Sequence, residues 1–492
     1  MAANNQDAYV CSDCIGDKIL KEIVPSEGEP EQCTFCGTNA NCLTLENLAN
    51  QVHEVIEKNF YLTSNEPEGV DYHLAKEGLW ERPGEQVHLV ISRIAKVSED
   101  IAEAIRDHLS EQFGYEAARD GEENPYGYDA LYEENSVDDW RFQESWDFFK
   151  TNIKTRSRFF SQQAEEVLDE IFKGLGTLKT IHGTPIIREI QPTDKDRHFY
   201  RTRVSFSVRE LKEILAAPSK RLGPPPSLSA KAGRMNAAGI SVFYGAVDGT
   251  TCIAEARAPV GSYVVLGCFE VIRPLRVLDF DAFRGIYIEG SYFDSDYHTR
   301  WQRASFLKRL VQEISQPVMP RDEEFEYLPT QAVSEYLAQR IEPRLDGIVF
   351  HSSQTGGEGR NVVLFNHACR VEPYDLPDGT VIDFNMGWES DDDYDDSITV
   401  SERVPSKKKE ESPPERTIGG AIPFDLDTFE PDTRGYAALS NDDADDGLDR
   451  RDPTLRLDVD GIRILHITSV KYEHHERSVS RHRTTNDKQR KF

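Results

Sequence analysis

The sequence predicts a multidomain chain: a small cysteine-based zinc-binding knuckle, an all-α N-terminal domain, then an α+β domain interrupted by a disordered acidic insertion. Three observations carry this prediction. Two Cys-x-x-Cys pairs stand near the start, helical periodicity runs from Thr44 to about Leu178, and a mixed strand and helix pattern occupies Ile187 to Asp383. At 492 residues the chain exceeds a single typical domain. The expected boundaries are 1–43 for the knuckle, 44–186 for the helical domain, 187–389 for the mixed domain, 390–453 for the acidic segment, 454–475 for a last strand and 476–492 for a basic tail.

Cys11-Ser12-Asp13-Cys14 and Cys33-Thr34-Phe35-Cys36 have the spacing of a two-knuckle zinc ribbon. Four thiolates close a tetrahedron around Zn2+ and leave no position for water, so the role is structural and metal binding supplies folding energy. Cys42, Cys252, Cys268 and Cys369 stand outside this pattern and read as small hydrophobes.

The helical region shows three apolar stripes. Leu45, Leu48, Val52, Val55 and Ile56 form one, Ile94, Val97, Ile101, Ile105 and Leu109 a second, and Val167, Leu168, Ile171 and Phe172 a third. An acidic, aromatic stretch from Tyr115 to Trp146 interrupts them. Such stripes must be buried against one another, which predicts a bundle.

Strand-like runs follow at 241–244, 262–271, 347–351 and 361–365, with helices at 301–314 and 331–340. Pro224-Pro225-Pro226 reads as an extended loop that delivers Arg234, because proline fixes φ and cannot continue a helix. From about 390 to 453 acidic clusters dominate with few apolar residues, a composition that cannot offset its conformational entropy. Apolar residues return at 462–470 as a strand, so the acidic segment is an insertion before that strand.

The formal net charge of -30 opposes broad electrostatic association with nucleic acid or anionic membranes. No apolar run approaches bilayer length, and residues 1–7 lack a secretory pattern, which predicts a soluble cytoplasmic chain. The cysteine usage predicts a reducing compartment. The hydrophobic fraction of 38% permits a core but points to substantial unfolded sequence.

One constellation carries chemistry: Gly233-Arg234-Met235-Asn236, Tyr244, Glu255 and Ser352-Ser353 ahead of a glycine run. Arginine offers a planar fork for a diphosphate, a carboxylate grips ribose hydroxyls, and a serine orients a third group. The order of Phe199-Tyr200-Arg201, Gly233-Arg234-Met235-Asn236, Val242-Phe243-Tyr244, Ala254-Glu255-Ala256 and Phe350-His351-Ser352 with Asn361 resembles the RES domain, with Met235 replacing the usual tryptophan. The Cys pairs and helical unit ahead of it resemble the HEPN-like N-terminal domain found in a subset of RES proteins.

The resemblance implies an ADP-ribosyltransferase-like fold acting on NAD+ as substrate, cleaving the nicotinamide–ribose bond by hydrolysis, phosphorolysis or ADP-ribosyl transfer. It implies that Glu255 grips ribose hydroxyls, Arg201 and Arg234 hold phosphates, Tyr244 stacks, Ser352 orients the nicotinamide ribose, and Asn361 and His351 support them. It also implies a toxin-like activity and a regulatory protein partner, such as a small helix-turn-helix antitoxin. Each residue has a structural alternative. Glu255 can be the solvent side of a helix, Arg234 a loop cap, Tyr244 a packed strand aromatic, and the glycine run a simple connection. Neighbouring strand positions face opposite ways, so only one of Ser352 and Ser353 serves the site, and the register favours Ser352. A second reading is a partner-binding or NAD+-sensing module with an inactive pocket. A third is a HEPN-type ribonuclease using Arg82 and His88, which requires the two to meet near RNA.

Overall fold

The computed structural model describes residues 8–67, 71–77, 79–135, 138–316, 318–385, 388–389, 394–395, 398–405, 449, 451–471 and 474–481. They form two compact units: residues 1–186 with 280–314, and residues 187–279 with 315–492.

In the first unit the stripe from Leu45 to Ile56 lies on the helix Leu45–Asn59 and is buried. Thr44 caps it, its hydroxyl accepting from the Asn47 amide at 3.2 Å. The second stripe, expected as one helix, is two. Val87–Ala95 and Glu99–Asp120 are separated at Lys96, whose φ of 53° is left-handed. Ile94, Val97, Ile101, Ile105 and Leu109 are all buried regardless, because the turn returns the chain with its apolar face inward. The third stripe lies on Gln162–Phe172.

The unit is also less purely helical than its periodicity suggests. Phe60–Leu62, Leu131–Glu134 and Glu85–Gln86 form an antiparallel sheet with Leu131–Glu134 in the middle. The acidic stretch supplies that central strand, and Tyr132 buries its ring. A further departure is the helix Tyr297–Ser315, which the sequence places within the mixed domain. Its Phe306 packs on Phe142 at 6.0 Å and Trp146 at 6.4 Å between ring centroids, so residues 280–314 cluster with the first unit.

The second unit is built on an eight-stranded sheet: β1 (Ile187–Ile190), β2 (His198–Ser205), β3 (Phe243–Ala246), β4 (Tyr263–Val271), β5 (Leu275–Asp279), β6 (Gly347–His351), β7 (Arg360–Leu364) and β8 (Leu455–His466). The strand order is β8-β4-β2-β3-β7-β6-β5-β1, and neighbours run antiparallel except β5 and β6. Phe199, Phe243, Val265, Phe269, Val349, Val362 and Leu457 fill one face of the sheet, and Phe243 meets Phe269 edge-on at 5.1 Å. The helix Val208–Ala216 lays Leu211, Ile214 and Leu215 on that core. Ser207 caps it through the Glu210 amide, while the Glu210 carboxylate accepts from the Phe206 amide at 2.8 Å.

Part of the segment expected to be disordered, 390–453, is ordered. Thr399–Arg403 pairs antiparallel with Val381–Asn385, and Phe384, Ile398 and Val400 pack against the sheet core. Alternating apolar residues outweigh the local charge there. The rest of the expected disorder, at 390–393, 396–397, 406–448 and 450, lies outside the described residues. Beyond it the chain re-enters the sheet as β8. Among the described residues no helix is long and apolar enough to cross a membrane.

In the first unit, buried Asp17 caps the helix Lys18–Glu27, accepting from the Ile19 amide at 3.0 Å, the Leu20 amide at 3.3 Å and the Ser291 hydroxyl at 2.8 Å. Asp17→Ala removes the cap and orphans a buried hydroxyl. It is expected to cost roughly 2–3 kcal/mol, read as a lower urea midpoint for the first unit's transition.

Candidate active site

The helix Gly249–Ala256 carries Glu255 near its end. Its start is fixed by Asp248, whose carboxylate accepts from the Thr251 amide and the Thr251 hydroxyl, both at 2.7 Å. Across from it the chain leaves β6 at His351, turns through Ser352 to Gly359 and returns as β7. Gly356 and Gly357 adopt φ of 64° and 91°, so this glycine run is a tight turn. Gly359 serves differently: a Cβ there would stand 2.1 Å from the Thr251 hydroxyl oxygen, so only glycine lets the turn meet the helix.

That close approach brings three side chains together. The Ser352 hydroxyl donates to Glu255 Oε1 at 2.6 Å, and Asn361 Nδ2 donates to the same oxygen at 2.7 Å. Glu255 Oε2 has no protein partner among the described residues and remains open to a ligand. Ser352 is fully buried while Ser353 is exposed, which resolves the pair: the first meets the carboxylate. Its oxygen also accepts from the Gln354 amide at 3.2 Å, so its orientation is fixed from both sides.

Glu255 lies on the wall of a cleft of about 350 Å3, lined also by Arg201, Arg203, Arg234, Tyr244, Arg257, Tyr327, His351 and Asn361. Arg201 and Arg203 share one face of β2 by strand alternation. Arg201 is buried above the Phe243 ring, gives Nη1 to the Tyr244 carbonyl at 2.8 Å, and has a buried Nε without a partner. Burial, and then the charge of Arg203, lower its pKa to about 9. A guanidinium in that position, with no carboxylate against it and one N–H unpaired, fits an anionic ligand.

Arg234 is delivered by the expected turn. The Gly233 amide donates to the Asn236 carbonyl at 3.0 Å, and Asn236 Nδ2 donates to the carbonyls of Lys231, Ala237 and Ile240. The Arg234 guanidinium lies over Tyr327 at 5.2 Å and gives Nη1 to the Gln316 carbonyl at 2.9 Å. Tyr244 faces the cleft but also holds this turn. Its hydroxyl donates to Asn236 Oδ1 at 2.9 Å and accepts from the Met235 amide at 2.8 Å, and burial pushes its phenol pKa up. A Cβ on Gly233 would stand 2.7 Å from that hydroxyl, which accounts for the glycine.

Arg203, Arg257, Ser315 and Tyr327 also line the cleft and are not singled out by sequence. Arg203 is accessible from its spacing to Arg201. Arg257 likewise follows Glu255 by two residues, whereas Ser315 and Tyr327 come from separate segments that only the fold joins.

Residues 205–387 match the family model of the RES domain. The chain carries a RES domain. Ahead of it, residues 26–167 match HEPN/RES N-terminal domain 1. Glu255, Arg234, Tyr244, Ser352 and Asn361 lie within the RES match, and Arg201 lies just before it. No curated protein matches the chain at significance.

In the first unit, Cys11, Cys14, Cys33 and Cys36 place their sulfurs within 4.8 Å of one another, with Cys11 and Cys36 at 3.5 Å and Cys14 and Cys33 at 3.8 Å. Metal–sulfur bonds of about 2.3 Å give tetrahedral sulfur–sulfur edges of about 3.8 Å, so the four thiols fit one metal ion. Cys42 stands beside them but turns its thiol toward the Glu31 and Ala40 carbonyls. Arg82, paired by sequence with His88, has all five N–H groups committed: to the Thr63 hydroxyl and carbonyl, both Glu123 oxygens and the Asp129 carbonyl. It braces this fold and has no donor left for RNA.

Purified protein is expected to hold about one equivalent of metal per chain, measured by elemental analysis after zinc-supplemented expression. Cys33→Ser should lose that metal and expose the first forty-odd residues to protease.

Proposed function

We propose that the RES domain binds NAD+ and breaks the bond between nicotinamide and ribose. The observation that carries this reading is the Glu255 carboxylate, oriented through one oxygen by Ser352 and Asn361 and leaving the other open, on the wall of a cleft rich in arginine. The RES match supports an NAD-related activity, and an ADP-ribosyltransferase-like fold belongs to the same reading.

In this mechanism Arg201 and Arg234 bind the diphosphate. Bond breaking sends the C1′–N electron pair to the nicotinamide ring, which leaves neutral, and positive charge develops on the ribose. Glu255 holds the ribose hydroxyls and opposes that charge, an interaction stronger in the transition state than in the ground state. Ser352 and Asn361 fix the carboxylate so that no reorganisation is needed when the charge appears. Tyr244 positions the Arg234 turn and presents its ring to the cleft. A nucleophile then captures C1′: water, phosphate or a protein side chain. The four-cysteine cluster holds zinc as a structural ion, and the N-terminal unit serves regulation by a protein partner.

Glu255→Gln is expected to lower nicotinamide release by about two to three orders of magnitude with NAD+ affinity little changed. Arg234→Ala should instead raise the Kd for NAD+ by about ten-fold, because its contact exists before the bond breaks. Nicotinamide release and equilibrium binding of both variants beside the parent check this. A parent that binds NAD+ without turnover marks a sensing module instead.

A further inference from the structure

The charge lining the cleft exceeds what NAD+ requires. Arg201, Arg203, Arg234 and Arg257 face one carboxylate, Glu255, so four positive charges less one negative leave +3, inside a chain whose net charge is -30. NAD+ carries two negative charges on its diphosphate and one positive on nicotinamide, a net of one negative. A further phosphomonoester adds about 1.5 to 2 negative charges near neutral pH, which balances the lining.

The arginines differ in what they have already spent. Arg201 and Arg203 give N–H groups to backbone carbonyls and are mostly buried. Arg234 is braced by Gln316 and Tyr327. Arg257 is exposed; its backbone amide caps the helix on the Ala254 carbonyl, while its guanidinium makes no hydrogen bond or ion pair among the described residues. It also sits in the left-handed region, φ 46°, where glycine or asparagine is the easier residue. That position closes the helix Gly249–Ala256, two residues beyond Glu255, and turns a cation into the cleft. Burial raises the Tyr327 phenol pKa; the fields of Arg234 and Arg257 oppose that rise, and Glu323, which accepts from the phenol at 3.2 Å, adds to it, so two cations and one carboxylate stand near this ring. The Ser315 hydroxyl lines the same cleft, buried and without a hydrogen-bond partner among the described residues.

We propose that the cleft prefers a dinucleotide bearing an additional phosphomonoester on ribose, as in NADP+, and that Arg257 determines this preference. The proposal rests on the nicotinamide-dinucleotide reading above. Arg257 meets the extra phosphate with a two-pronged charge-assisted contact, and Ser315 offers it a hydroxyl.

The test uses the full chain, with NAD+ and NADP+ titrated separately by calorimetry at one fixed ionic strength, beside Arg257→Asn and Arg257→Lys. Asparagine tolerates the left-handed backbone, so this variant keeps the fold, which circular dichroism verifies. The parent is expected to bind NADP+ about ten-fold more tightly than NAD+. Arg257→Asn should bring the two constants within about two-fold of each other, and Arg257→Lys should retain an intermediate ratio. A parent that favours NAD+, or a ratio unmoved by Arg257→Asn, overturns the inference and leaves the NAD+ reading standing. Binding of neither dinucleotide overturns both.

Discussion

Two hydrogen bonds to a single oxygen, from Ser352 and Asn361 to Glu255, are the constraint on which this RES domain is organised. Each donor comes from a different part of the sheet. Ser352 directly follows β6, Asn361 stands in β7 opposite Phe350, and Glu255 is on a helix that follows β3. The contact therefore forms only when strand order, strand register and helix placement are all correct. A one-residue slip of β7 would turn Asn361 to the other face of the sheet. The site is thus a sensitive readout of the fold as well as a product of it.

The surrounding arginines make sense against that constraint. A carboxylate held in place on the wall of the cleft supplies the only negative side chain among the described residues of a lining that otherwise attracts anions. That carboxylate and a group of guanidinium cations on one lining give the cleft opposite fields at different points of its wall. Tyr244 and Gly233 show the same economy: the phenol that lines the cleft also fixes the turn carrying Arg234, and the missing Cβ is what lets them meet.

Much of this was legible in the sequence. The arginine, glutamate and serine signature indicated the RES domain, and the two Cys-x-x-Cys pairs predicted a cluster whose sulfurs meet. Helical stripes identified which faces are buried, because periodicity encodes burial directly. It does not encode partners. The helix Tyr297–Ser315 shows its apolar residues plainly, yet nothing local says that Phe306 belongs with Trp146. Lys96 is similar: a left-handed lysine leaves no mark on composition, so two helices read as one. Within the cleft, Tyr327 and Ser315 are joined to the Glu255 segment only by tertiary structure. In the acidic segment, charge masked the alternation that lets Thr399–Arg403 pair.

The position of β8 at the sheet edge has a consequence for how the domain comes into being. Every other strand of the sheet is synthesised before residue 365, but the partner of β4 arrives only at Leu455–His466. Until then β4 presents open amide and carbonyl groups, and Leu455 and Leu457 are missing from the core. A nascent chain is thus left with an uncovered strand through the synthesis of the whole acidic segment, and such an edge invites pairing with other chains. The acidic residues between Asp391 and Asp446 are made during that interval, and like charge opposes the approach of a second such chain.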